Sequence, residues 1–176
     1  EDEQGAFSAV HPITHELAHL IGAVHDGDKA PDYIPDHPGA EACPWADGYI
    51  MSYITNSSNH YLFSPCSVRQ FIVTLAYRGP KCWHVSTDVD ILLQTRRKPG
   101  QAVSRAEYCQ TMYSHNDWLA VDMNDTIKKM CKFRCCYKRW SMFSDMQCIV
   151  SDALDGIECD AFKVCLNGDC VGDYLL

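Results

Sequence analysis

Two stretches of the chain repeat their apolar residues at helical spacing. In the first, Leu17, Ala18, Leu20, Ile21 and Val24 predict an amphipathic helix, with Pro12 suited to its first turn. In the second, Val68, Phe71, Ile72 and Leu75 recur in the same way and are assigned to packing, with Ser64 placed to cap the helix and Pro65 in its first turn. Between this helix and the C-terminal region lies a short apolar stretch, Val89 to Leu93, followed by Thr95-Arg96-Arg97-Lys98-Pro99-Gly100. Charge and Pro-Gly together mark a linker there, and the Arg-Arg-Lys run reads as a solvated turn, with a processing site as the alternative. From Cys109 onward little periodicity remains, and eight cysteines fall between Cys109 and Cys170. No apolar run reaches the length of a membrane span.

The polar positions of the first helix carry the chemistry. His15 and His19 are four apart, so their rings leave one face of a helix a turn apart and can share a metal ion. Glu16 lies beside them and is not expected to bind the ion. Gly22 lets the chain leave the helix through a left-handed or strained turn, which returns His25 as a third ligand. Three protein ligands leave one position of a zinc ion open for water, as in a catalytic rather than a structural site. The alternative is a helix whose histidines line a solvated face, and the length of the pattern argues against it.

The run His15-Glu16-Leu17-Ala18-His19-Leu20-Ile21-Gly22-Ala23-Val24-His25 matches the metzincin zinc signature. Asp26, directly after the third histidine, resembles the reprolysin or adamalysin branch, the M12B proteases of ADAM and ADAMTS type. Gly48-Tyr49-Ile50-Met51-Ser52 looks like the Met-turn, with Met51 the methionine beneath the ligands, and Phe63-Ser64-Pro65-Cys66-Ser67 resembles the segment that opens the last catalytic helix. The resemblance implies one catalytic Zn2+, Glu16 as general base, and Ser52 to Thr55 as a wall of the specificity pocket. It also implies an α+β, zincin-like catalytic domain whose N-terminal sheet is absent here, because nothing upstream of Pro12 supplies an apolar partner for the zinc helix.

The same resemblance orders the cysteines. Cys43 and Cys66 would pair around the Met-turn, and Cys82 would be unpaired because its family partner lies in the absent half. The close of the chain, Asp155 through Cys159 and Cys165 to Asn167-Gly168-Asp169-Cys170-Val171, resembles the disintegrin-like module of the ADAMTS proteases. That topology implies Cys109 with Cys136, Cys131 with Cys148, Cys135 with Cys165, and Cys159 with Cys170. The expected organisation is a C-terminal part of a catalytic domain over 1–84, a linker over 85–107 and a cysteine-rich module over 108–176. The layout also looks like the salivary metalloproteases of blood-feeding ticks.

Composition changes the picture in two respects. The 176 residues carry a formal net charge of −8, and acids exceed bases by seven in residues 1–88, so nothing suggests nucleic acid. Lys128, Lys129, Lys132, Arg134, Lys138 and Arg139 form a basic run that reads as a solvated surface, with a docking patch as the alternative. Eleven cysteines without paired CxxC knuckles indicate disulfides and an oxidising, extracellular setting. The sequons at Asn56 and Asn124 are candidate glycosylation sites consistent with secretion. The chain opens Glu1-Asp2-Glu3-Gln4 without a leader, so a secreted precursor is expected to extend upstream.

The function these residues point to is a secreted zinc metalloendopeptidase acting on extracellular proteins, of the matrix or of plasma. The alternative is a catalytically vestigial protein that binds through its cysteine-rich module; Glu16 discriminates, because a retired protease tends to lose its base. The residues leave calcium binding open.

Overall fold

A computed structural model describes residues 6–55, 57–82, 84, 97–113, 118–122, 124–138 and 146–172. The chain divides into two units, Ala9–Thr95 and a second made of Glu1–Ser8 with Arg96–Leu176.

The first unit holds two helices, α1 (Val10–Leu20) and α2 (Pro65–Arg78), joined by turns. Pro12 sits in the first turn of α1, where a missing N–H costs nothing. Ser64 caps α2 by accepting from the Ser67 N–H, with Pro65 in the first turn. A small apolar core of Ala18, Ala23, Ile50 and Met51 is flanked by Phe63 and Phe71, whose rings meet edge to face at 5.0 Å.

The apolar stripe read from α2 is packed only in part: Phe71 joins the small core, but Val68 is exposed and Ile72 is 65 % exposed, whereas Ser67, Gln70 and Thr74 are buried. Each polar residue has its own reason to be inside: Ser67 bonds Ser64 at the helix cap, Gln70 Oε1 accepts from the Val24 N–H of the loop that follows α1, and Thr74 fills the space left by the missing side chain of Gly22. On α1, Ala18 is buried, but Val10, Ile13 and Leu17 are exposed and Leu20 is 78 % exposed.

The second unit is built on two three-stranded antiparallel sheets. One has the order β1 (Trp118–Asp122), β2 (Lys132–Lys138), β3 (Met146–Asp152); the other has β4 (Glu158–Asp160), β5 (Lys163–Leu166), β6 (Asp169–Gly172). Short helices α3 (Pro99–Ala102), α4 (Arg105–Met112) and α5 (Asp125–Lys129) accompany them. Residues 97–107, read from sequence as linker, hold α3 and the start of α4, and Gly100 donates its N–H to the Asp155 carbonyl at 2.8 Å. A Cβ on Gly100 would lie 2.4 Å from Ile157 Cγ1, so the approach needs glycine. Residues 85–96, with Val89 to Leu93 and Arg96, lie outside the described residues.

The core of this unit is largely sulfur: Cys109, Cys131, Cys135, Cys159 and Cys165 surround Phe133, Ala153 and Ile157. Its disulfides are Cys109–Cys135, Cys131–Cys165, Cys136–Cys148 and Cys159–Cys170. Three of these correct the pairing that the resemblance implied, which joined Cys109 to Cys136, Cys131 to Cys148 and Cys135 to Cys165. The cause is the two-residue period of a strand. Cys135 and Cys136 are neighbours on β2 and face opposite ways, so Cys135 points with Phe133 into the core while Cys136 points away. Cys136 stands directly opposite Cys148 in the β2–β3 register and bonds to it there.

Candidate metal centre

The exit from α1 sets the geometry of the centre. Gly22 takes φ +99°, and a Cβ there would lie 2.2 Å from Thr74 Oγ1, so both conformation and space exclude a side chain. The Ala23 N–H returns to the Ala18 carbonyl at 2.9 Å, the Val24 N–H donates to Gln70 Oε1 at 2.8 Å, and the Asp26 N–H donates to the Met51 carbonyl at 3.0 Å. These anchors bring His25 back beside the two histidines of the helix.

The imidazoles are oriented through their far nitrogens. His15 Nδ1 donates to the Ile50 carbonyl at 2.8 Å and His19 Nδ1 to the Ala23 carbonyl at 2.7 Å. His25 Nδ1 faces the Asp28 carboxylate at 3.6 Å. A carbonyl can only accept, so the proton of His15 and of His19 is on Nδ1 and each Nε2 presents a lone pair. Those lone pairs converge: His25 Nε2 is 3.2 Å from both His15 Nε2 and His19 Nε2. A proton on His25 Nε2 would make one of these contacts a hydrogen bond between neutral rings, whereas a proton on Nδ1, the nitrogen that faces Asp28, leaves all three Nε2 atoms free to bind an ion. Zinc to nitrogen distances of about 2.0–2.1 Å in a tetrahedral site place ligand nitrogens about 3.3–3.4 Å apart, so the donor set fits zinc. Burial, and then the neighbouring His19 and His15, hold the His25 pKa below the usual histidine value, which favours the neutral form that binds metal.

Glu16 is exposed, and its charge is felt at His25. Met51 is fully buried in the small core beneath the centre, in contact with α1 through Ala18. Asp26 is almost wholly buried; its Oδ1 accepts from Ser64 Oγ at 2.6 Å, tying the residue after the third histidine to the cap of α2. Burial pushes the Asp26 carboxyl pKa up, against the lowering effect of the Ser64 bond. The Cys43–Cys66 disulfide joins the segment before the Met-turn to the first turn of α2, and Cys82 is an exposed free thiol. Asn124 is exposed and its Oδ1 caps α5 by accepting from the Thr126 N–H at 2.9 Å, which leaves Nδ2 directed elsewhere; Asn56 lies outside the described residues.

Three features have no counterpart in the periodicity reading. The Tyr53 ring is 70 % exposed, stacks on His15 with centroids 5.6 Å apart, and places its hydroxyl 3.5 Å from His25 Nε2. Trp45 meets both His25 and Tyr53 edge on, at 5.7 and 5.2 Å. The stripe of Ser67, Gln70 and Thr74 was hidden by the apolar residues between them. Tyr53 lies within Ser52 to Thr55, the stretch that the family resemblance offered as a pocket wall, but its contacts with the histidines had no signal in the sequence.

Residues 3–77 match the family described as Metallo-peptidase family M12B, Reprolysin-like. A protein named "A disintegrin and metalloproteinase with thrombospondin motifs like" from Bombyx mori is 30 % identical over 174 residues, which cover 98 % of this chain and 23 % of that protein. A venom metalloproteinase, antarease-like, from Tityus fasciolatus is 41 % identical over 83 residues, 46 % of this chain and 34 % of its own length. A second antarease-like venom metalloproteinase, from Tityus serrulatus, is 40 % identical over 68 residues, 38 % of this chain and 28 % of its own length. The chain thus spans between 23 and 34 % of the length of these curated relatives.

Proposed function

Since residues 3–77 are of the reprolysin type of the M12B metallopeptidases, we propose that this chain carries the metal-binding part of a secreted zinc endopeptidase. In this reading residues 1–84 are the C-terminal part of a metzincin catalytic domain, followed by a connecting stretch over 85–107 whose residues 97–107 carry α3 and the start of α4. Residues 108–176 form a disintegrin-like cysteine-rich module that contacts extracellular proteins. The observation that carries the proposal is the convergence of three imidazoles, with His25 Nε2 3.2 Å from the Nε2 of both His15 and His19, and the Nδ1 protons of His15 and His19 fixed by backbone carbonyls.

His15, His19 and His25 would hold the ion. Bound zinc lowers the pKa of its water and polarises the scissile carbonyl. Glu16, exposed beside the ligands and not itself one, takes the proton of the attacking water and delivers it to the leaving amine, so no covalent intermediate is needed. Asp28 orients His25 from behind, as carboxylates commonly do for metal-bound imidazoles. Met51 gives the ligands a rigid apolar floor, and Tyr53 with Trp45 walls the approach on the His25 side.

Metal analysis of single variants tests the assignment. His19→Ala should lose stoichiometric zinc, and full occupancy in that variant would remove His19 from the ligand set.

A further inference from the structure

A histidine outside the ligand set holds the turn that carries the ligands. His37 is 8 % exposed and uses both ring nitrogens. Its Nε2 donates to the Gly22 carbonyl at 2.7 Å, and its Nδ1 accepts from the Gly39 N–H at 3.1 Å. A carbonyl accepts and an N–H donates, so these two bonds together admit one state of the ring: neutral, with the proton on Nε2. Burial with both nitrogens satisfied is more than volume filling requires.

The segment that presents His37 is itself fastened. The Gly27 N–H donates to the Ala40 carbonyl at 3.0 Å, and the Ala40 N–H donates to the Asp28 carbonyl at 2.8 Å, closing residues 28–39 into a loop with a hydrogen-bonded neck. Gly39 is buried against Ala30, where a Cβ would lie 2.7 Å from the Ala30 nitrogen. His37 is therefore a fixed post.

The carbonyl it grips belongs to the Gly22–Ala23 peptide. The N–H of that peptide is bound by Ala18, and the next carbonyl, that of Ala23, is the one that aims His19 through Nδ1. Rotating the Gly22–Ala23 plane would disturb the Ala23 carbonyl and with it the direction of the His19 lone pair. The other anchors of the turn come from α1, α2 and the Met-turn; among the described residues, the grip on the Gly22 carbonyl comes from the 28–39 loop alone.

We propose that His37 is a positioning residue of the metal centre: as a neutral Nε2–H imidazole it locks the Gly22–Ala23 peptide and so slows loss of the ion. This rests on the zinc reading of His15, His19 and His25. The test compares His37→Leu, which keeps apolar volume, with His37→Gln, whose amide offers a donor and an acceptor across one carbon, as the imidazole does. The readouts are the rate of zinc release to a chelator, the absorption spectrum of the Co2+-substituted protein, and the melting of the metal-free protein. His37→Leu should release zinc on the order of tenfold faster, the lower end of the range for groups behind metal ligands, with a shifted cobalt spectrum. His37→Gln should recover most of both. Release from His37→Leu at the wild-type rate would overturn the proposal, as would equal release from the two variants. Should both variants unfold, the nitrogen NMR signature of His37 in the unmodified protein decides: a charged ring, or a proton on Nδ1, sinks the idea. A wild-type protein that holds no stoichiometric zinc would instead overturn the metal reading itself.

Discussion

The two units of this chain bury different things. Around the metal centre the buried polar residues are His15, Asp26, His37, Ser52, His60, Ser64, Ser67, Gln70 and Thr74, whereas the described residues of the cysteine-rich unit bury one, Ser151. The interior of that second unit is cystine with Phe133 and a few aliphatic residues. One unit relies on buried hydrogen bonds, where each unmade donor or acceptor costs about 1–3 kcal/mol, and it leaves Asp26 Oδ2, Gln70 Nε2 and Thr74 Oγ1 without a hydrogen-bond partner among the described residues. The other is held by covalent cross-links that act mainly by restricting the unfolded chain. The first arrangement aims side chains, and the second keeps a small fold closed without a large core.

The sharpest way to separate the units is chemical. Glu16→Gln removes the proton acceptor without removing a ligand, so peptidase activity should fall by about 10²–10⁴-fold while zinc content is unchanged. Activity comparable to wild type at full zinc occupancy would end the proposed role of Glu16.

Next in size, replacing Cys131 and Cys165 together by alanine should destabilise the second unit by about 2–5 kcal/mol, read by denaturant melting, and leave zinc stoichiometry alone. Loss of zinc in that variant would break the comparison, because the staples would then be supporting the site as well. In the polar unit, Gln70→Leu keeps volume but strands the Val24 N–H, and the expected cost is about 1–3 kcal/mol with weaker zinc retention. A neutral or stabilising result would show that the stripe on α2 is dispensable.

Acid should also divide the units. The folded-state pKa of His25 is lowered, so the unfolded chain takes up protons first and stability contributed by the neutral ring is lost as pH falls below the ordinary histidine value. In the second unit the carboxyls with lowered pKa are Glu107, accepting from Ser104, and Asp160, accepting from the Ala161 N–H beside Lys129; burial also lowers the Arg105 pKa, far above the acid range. The contribution of the two carboxyls persists until pH falls through the carboxylate range. Metal-free protein melted at successive pH values should therefore lose the His15–His25 region first, and simultaneous loss would contradict the assignment. The smallest effect is expected on the surface of α1, where Leu20→Gln should change stability by no more than about 0.5 kcal/mol in this chain. A larger loss in a longer form of the protein would mean that another layer covers that face.

How much of this was legible differs between the units for the same physical reason. The convergence of three histidines could be read because it follows from spacing along neighbouring residues: His15 and His19 one helical turn apart, Gly22 at the bend, His25 beyond it. The cap at Ser64 was legible because capping is local. The pairs Cys43–Cys66 and Cys159–Cys170 were legible, but the other three were not: the choice between Cys135 and Cys136 depends on which face of β2 meets the core, and the alternation of Lys132, Phe133, Arg134 and Cys135 that marks this face is interrupted at Cys136. The buried side of α2 was read only in part, at Phe71, because periodicity counts apolar residues and gives no sign of a cap bond at Ser67, a backbone N–H met by Gln70, or a glycine-shaped gap filled by Thr74. His37 gave no signal: its role depends on a loop returning to Gly22 from fifteen residues away.

The Cys43–Cys66 bond closes a ring of chain, sequence separation 23, that contains the Met-turn and exposed residues such as Tyr53, Thr55 and Ser57. Exposed loop tips of this sort are where proteolytic cuts fall. A cut inside the ring leaves both new ends on one molecule, with Met51 still tethered to α1 on one side and Ser64 to α2 on the other. Damage there does not become dissociation, and while the disulfide stays oxidised the histidine cluster persists in a nicked but assembled chain.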